Sequence, residues 1–123
     1  MNLARTLMAI ALLTTMIGCR SESHNSAPET ILGVWKTSHP KYADRFIEIK
    51  KEFIVFGTGG NSSTVHAIAD VEQTGDGKDI LYTITHLNHA GQRYFLSFYY
   101  DPSNHGTMRF RHQKDILWTR EGR

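Results

Sequence analysis

The sequence predicts an all-β domain, a small antiparallel up-and-down barrel of about eight short strands, with a two-layer β-sandwich as the alternative. Three observations carry this. From Ile31 onward helical periodicity is almost absent, and short runs rich in β-branched and aromatic residues recur between turn clusters. The connections are short, whereas parallel strands need long crossovers. Closing a meander also removes its unpaired edges, which otherwise invite aggregation.

The chain opens with a leader. Arg5 and the initiator amine make a short positive region, and residues 7–16 are apolar except for Thr14 and Thr15. That run is too short to span a bilayer, which takes about 20 apolar residues. Its three-part layout is that of a secretory signal. The only cysteine of the chain, Cys19, falls at its end.

Met16-Ile17-Gly18-Cys19 resembles the lipobox of bacterial lipoprotein precursors. The resemblance implies cleavage before Cys19, acylation of its thiol and its new amine, and attachment to a membrane. Two or three acyl chains on one residue hold where a single chain binds only marginally. Arg20 stands where an aspartate tends to retain such proteins in the inner membrane, so the expected address is the outer membrane, facing the periplasm. The alternative is a plain signal peptide cut near Gly18, with Cys19 left as a free thiol. The expected organisation is a signal peptide at 1–18, a lipidated cysteine and flexible tether at 19–30, and a β-domain at 31–123.

About 105 residues remain after cleavage, enough for one domain. With a single cysteine there is no disulfide, so the core rests on hydrophobic burial. Losing the leader removes Arg5, one of 14 basic residues, and leaves near balance with 12 acidic ones. That near balance gives no electrostatic reason to expect nucleic acid, and the basic residues are scattered, so no basic membrane-binding face is expected. Residues 20–30 are polar, with three serines and Pro28, and read as the tether.

The strands then follow in order. The first is expected at 31–37 and the second at 45–50, with Ile47 and Ile49 inward. The third spans 53–56 and is apolar on both faces. A Gly-rich loop at 57–62 leads to a long fourth strand at 63–73, where Val65, Ala67, Ala69 and Val71 alternate with His66, Asp70 and Glu72. Gly75-Asp76-Gly77-Lys78 is the clearest hairpin signal. The fifth strand, 80–86, puts Ile80, Tyr82 and Ile84 on one face. The sixth, 93–100, does the same with Tyr94, Leu96, Phe98 and Tyr100. The seventh, 107–111, turns Met108 and Phe110 inward, and the eighth, 116–120, turns in Ile116 and Trp118.

Gly33-Val34-Trp35 resembles the opening of lipocalin and fatty-acid-binding barrels, which begin with Gly-x-Trp on the first strand. That resemblance implies a barrel, a basic residue near the end of the last strand packed on the Trp, here Arg120, and a small apolar ligand. The other reading of Trp35 is a plain core residue.

Alternate loops of a meander lie at opposite ends. The tether and the C-terminus share a proximal end with the hairpins near 51, 75–78 and 102–105. The distal end carries the loops 38–44, 57–62, 87–92 and 112–115, with His39, His86, His89 and His112. Three or four convergent imidazoles would make a metal site. No complete ligand spacing is present, so no metal is expected. The glycines at 57–60 lack the Lys-Ser/Thr of a phosphate loop, and residues 76–79 lack calcium-loop spacing. No nucleophile stands beside a base at a meaningful spacing, and no catalytic residue or cofactor is assigned.

Tyr82, Tyr94, Phe98 and Tyr100 are the candidate ligand-binding residues. Inward tyrosine hydroxyls need partners, and small Ala67 and Ala69 opposite them would leave room. Ordinary close packing is the competing account. The sequence therefore points to a non-enzymatic envelope protein that binds a small apolar or amphipathic ligand. The alternative is a protein–protein interaction or inhibitor module with a solid core.

Overall fold

A computed structural model describes residues 22–75, 77 and 80–121. The leader, Cys19, positions 76 and 78 of the expected hairpin and position 79 lie outside them. The chain is all β: β1 (Glu22–His24), β2 (Gly33–Lys36), β3 (Phe46–Ile49), β4 (Phe53–Gly59), β5 (Ser62–Thr74), β6 (Ile80–Leu87), β7 (Arg93–Asp101), β8 (Thr107–Phe110) and β9 (Gln113–Arg120). Every pairing among them is antiparallel. Strands β2 to β9 form a closed up-and-down barrel of eight strands, sealed where β2 meets β9.

That seal is short. It consists of Trp35 opposite Arg120 and Lys36 opposite Thr119, extended by Glu121 N–H donating to the Val34 carbonyl at 2.8 Å. Lys36 Nζ and Glu121 Oε2 add an exposed ion pair at 3.2 Å, a contribution that water screens.

The eight expected strands are present, and residues 22–30 depart from the expected tether. Glu22, Ser23 and His24 pair with Gln73, Glu72 and Val71, along the stretch of β5 that continues past the end of β4. Ala27 is buried and its N–H donates to the Lys51 carbonyl at 2.8 Å. A 3-10 turn, Glu29–Ile31, then buries Ile31 completely. The polar composition of this segment hid its role, because backbone pairing needs no apolar side chain and, among the described side chains, Ala27 and Ile31 are the buried ones along it.

The fourth expected strand also departs from a simple alternation. The β5–β6 register shifts between Ile68 and Asp70. A bulge absorbs one residue and moves the following side chains to the other face. Val71 is therefore buried as expected, but Val65 is 42% exposed and Ala67 is exposed. Ile68 lies buried on the opposite face from them, and His66 shares its side.

Among the described residues the interior is filled. Trp35, Ile31, Ile49, Ile54, Val71, Ile84, Phe98 and Met108 each keep less than 2% of their surface accessible. A cavity able to admit a ligand among them would leave accessible walls, so this centre is packed like other protein cores.

Candidate functional site

The proximal end is closed by a polar clasp. Arg120 holds its guanidinium 4.7 Å from the Trp35 ring centroid. Its Nη1 donates to the Leu32 carbonyl at 3.0 Å and its Nη2 to the Tyr100 hydroxyl at 3.1 Å. Trp35 Nε1 donates to the Ile31 carbonyl at 3.0 Å. Thr30 Oγ1 and the Tyr82 hydroxyl are 3.3 Å apart. This is the contact expected between Gly33-Val34-Trp35 and the last strand, and it ties β2, β7, β9 and the 3-10 turn together.

The four expected ligand residues divide between core and rim. Tyr82, Phe98 and Tyr100 are buried in the core, with Tyr82 and Phe98 stacked at 5.6 Å. The Tyr82 and Tyr100 hydroxyls find partners in Thr30 and Arg120. Tyr94 instead sits at the distal rim, 43% exposed. The small residues expected to face them do not, because the β5 bulge turns Ala67 outward.

The distal end holds the chemistry. His66 on β5 and His86 on β6 approach Nδ1 to Nδ1 at 2.7 Å. One ring donates and the other accepts, so a single proton lies between them. Tyr94 stacks on His86 at 5.7 Å and lies 5.5 Å from His66, and Phe56 flanks both imidazoles at 5.4 and 5.3 Å. Burial, and secondarily the His66 charge, pushes the His86 pKa down from 6.5 to about 4. His86 is therefore neutral near pH 7.

The other distal histidines do not join this pair. His39 accepts from the Lys41 N–H at the start of a 3-10 turn, while His89 and His112 are exposed. Among the described residues no three His, Cys, Asp or Glu side chains gather where they could share a metal ion. His66 escapes a reading of the sequence because period-2 alternation places it on the polar face. The bulge that reverses its direction has no signal in the sequence.

Beside the histidines, on the far side of Phe56, lies a cleft of about 190 Å³. Tyr42, Arg45, Phe56, Phe110, Gln113 and Trp118 contribute to its walls. Gln113 Nε2 donates to the Tyr42 hydroxyl at 2.9 Å, which joins the 38–45 loop to the β8–β9 hairpin. That hydrogen bond, with lesser help from the Lys41 and Arg45 charges, lowers the Tyr42 pKa. None of the four expected ligand residues lines this cleft.

The outer face of the barrel carries an apolar strip. Val55 pairs with Val65, Phe53 with Ala67, and Ala67 with Leu87, while Phe95 lies opposite Thr85 on the next strand. Phe53 is 45% and Phe95 67% exposed. Shallow depressions between Phe53, Val65 and Leu87 make the strip uneven.

No protein-family model, curated protein or solved structure matches the chain.

Proposed function

We propose that this chain is a lipid-anchored module of the bacterial cell envelope that acts through the outer surface of a filled barrel, as a non-enzymatic partner or inhibitor of another envelope protein. The observation that carries the reading is the contrast between inside and outside. Among the described residues the centre of the barrel is packed, while Phe53, Val65, Ala67 and Leu87 make a contiguous apolar strip across three strands, with Phe95 exposed on the same face of the next. Scattered surface apolar residues are ordinary, but contiguous ones mark places of contact.

The anchor rests on the lipobox resemblance at Cys19. Two residues, Arg20 and Ser21, separate Cys19 from Glu22, where β1 begins, a reach of roughly 10 Å at full extension over three Cα–Cα steps. Glu22 pairs with Gln73 near the proximal end. An acylated Cys19 would hold that end against the outer membrane, turn the distal mouth toward the periplasm and leave the strip on the flank.

A photo-crosslinking amino acid at position 95, with the same probe at position 117 as control, tests the reading in cells of the host. Leu117 is also exposed but lies on β9. A discrete protein adduct from position 95 alone supports it. Equal adducts from both positions, or none, sink it. A membrane-extracted protein whose mass lacks an acyl increment removes the anchor.

A further inference from the structure

The histidine pair sits where two leaves of the barrel meet. β4 accompanies β5 only as far as Ala67, opposite Phe53, and β6 joins β5 from Ala67 onward, with a register shift after Ile68. One leaf is therefore β3, β4 and residues 62–67 of β5, and the other is β6 and β7. Beyond the bulge the leaves share two backbone rungs, Ala67 opposite Leu87 and Ile68 opposite His86. Ile68 donates its N–H to the Glu52 carbonyl at 2.9 Å, on the β4 side. What closes this seam is a cluster of four rings. His66 and Phe56 come from the first leaf, His86 and Tyr94 from the second, and the His66–His86 hydrogen bond at 2.7 Å crosses between them.

The same seam divides the apolar strip. Phe53, Val65 and Ala67 stand on the outer face of the first leaf, Leu87 and Phe95 on that of the second. Val65 and Ala67 flank His66 in the chain, Leu87 follows His86, and Phe95 follows Tyr94. The strip is continuous only while the leaves stay closed.

The pair tolerates one added proton, since an imidazolium on one ring still donates to the other Nδ1. A second proton leaves two cations facing N–H to N–H with no acceptor between them. Among the described residues, Tyr94 is the titratable group that β7 turns toward the pair, and β4 presents Phe56. Asp70 and Arg93 pair with Thr85 and Leu87, so both stand on the outer face. His89 lines an outer depression, and Arg45 lies beyond Phe56 in the distal cleft. Asp70, the one carboxylate among these, is thus on the wrong face to balance the second charge. Separated rings titrate near the ordinary 6.5, whereas burial and the His66 charge hold closed His86 at about 4. Acid therefore favours separation, by up to about 300-fold.

We infer that the His66–His86 pair is an acid-sensitive latch on the flank strip: protonation of both rings parts the two leaves beyond the β5 bulge, splits Phe53, Val65 and Ala67 from Leu87 and Phe95, and releases the docked partner. Resting on the flank as the contact surface, the latch makes docking a neutral-pH state and release an acidic one.

Fluorine NMR on the full chain, as the host processes it, reads the latch. With six phenylalanines, 4-fluorophenylalanine labelling gives six signals, assigned by single Phe→Leu replacements. As pH falls from about 7.5 to about 4.5, the Phe56, Phe53 and Phe95 signals should shift with one midpoint, while Phe98 in the filled centre stays still. The double variant His66→Phe/His86→Phe removes both titrating rings and should hold all of these signals. His66→Gln is the second variant: its amide accepts from a protonated His86 without adding a charge, so the strip signals should hold there too. The latch is overturned if nothing shifts, if Phe56 shifts while Phe53 and Phe95 stay still, or if the strip signals move equally in the variants. Crosslinking from position 95 reads the release. Adduct yield should fall about fivefold or more between about pH 7.5 and 5 in the unmodified chain, and less than about twofold in His66→Gln. No fall, or an equal fall in both, overturns the release. A failure of the flank reading itself looks different: no adduct from position 95 at neutral pH, whatever the fluorine signals do.

Discussion

Arg120 lies over the face of Trp35 and, from the same guanidinium, reaches the Leu32 carbonyl and the Tyr100 hydroxyl. The two residues are also backbone partners across the β2–β9 seam. One side chain thus reinforces the shortest seam of the barrel. Arg120→Ala removes a cation–π contact and two hydrogen bonds, and leaves buried acceptors behind. The expected loss is about 2–4 kcal/mol. Arg120→Lys should fall between, since an ammonium keeps the charge but lacks the planar fork that spans two acceptors. Urea unfolding of the three proteins checks this, and a loss below about 1 kcal/mol for Arg120→Ala would mean the clasp is ornamental.

Gly106 is required by the same clasp. Its φ is +94°, and a Cβ there would collide with Arg120 Nη2. Gly106→Ala should cost about 1–3 kcal/mol from backbone strain alone, with the collision added. In an Arg120→Ala background that collision disappears, and the strain and the close approach to the Tyr100 ring at 3.1 Å remain. A double-mutant cycle should therefore show the Gly106→Ala penalty shrinking. An unchanged penalty would mean that backbone strain and the Tyr100 contact account for all of it.

The strand pattern was legible because turns and alternation are local signals. Ile47, Ile49, Tyr82, Ile84, Phe98, Met108, Ile116 and Trp118 all face the core as alternation demands. Arg120 was found through a resemblance at Gly33-Val34-Trp35, since nothing local links residues 35 and 120. The histidine pair was not legible: His66 and His86 meet only because a bulge near Ala69 reverses one half of β5. The ordering of residues 22–31 was hidden for a different reason. Its stabilisation comes from backbone pairing and two small patches of burial, which composition does not report.

His86 makes stability depend on pH. Its folded pKa is depressed to about 4, below the ordinary 6.5. The unfolded chain therefore binds this proton more readily between those values. Stability is fully present above pH 6.5 and falls as pH drops from 6.5 to about 4. The limiting size is about 3 kcal/mol, because each tenfold difference in proton affinity between the folded and unfolded chain is worth about 1.36 kcal/mol. His86→Phe should flatten this fall, measured as urea midpoints between about pH 7.5 and 4. An NMR titration of His86 with a midpoint near the ordinary 6.5 would remove the basis for it.

Exposed and buried phenylalanines on the same strand should behave oppositely. Phe95→Ser changes a side chain that is 67% exposed, so stability should move by no more than about 0.5 kcal/mol. Phe98→Ala empties a fully buried position and should cost about 3–5 kcal/mol. Only the first variant should raise solubility and remove crosslinking from the flank. A large stability loss in Phe95→Ser would show that this ring supports the barrel, and the strip would lose its standing as a contact surface.

The N-terminal segment offers the sharpest check on the fold, because composition alone places the domain start at Ile31. Glu22–His24 covers the free stretch of β5, Ala27 is buried against the β3–β4 turn, and Thr30 reaches Tyr82. A chain beginning at residue 31 loses all three contacts and uncovers a strand edge, which invites association. It should be less stable by about 2–5 kcal/mol than one beginning at residue 20, and should self-associate on size-exclusion chromatography. Ala27→Glu makes the same test at constant chain length, since it forces a charge into a buried position. Urea midpoints that match for all three chains would show that the barrel closes without this segment. In that case residues 22–30 would serve as a tether after all, and the short reach from Cys19 to the barrel would no longer hold.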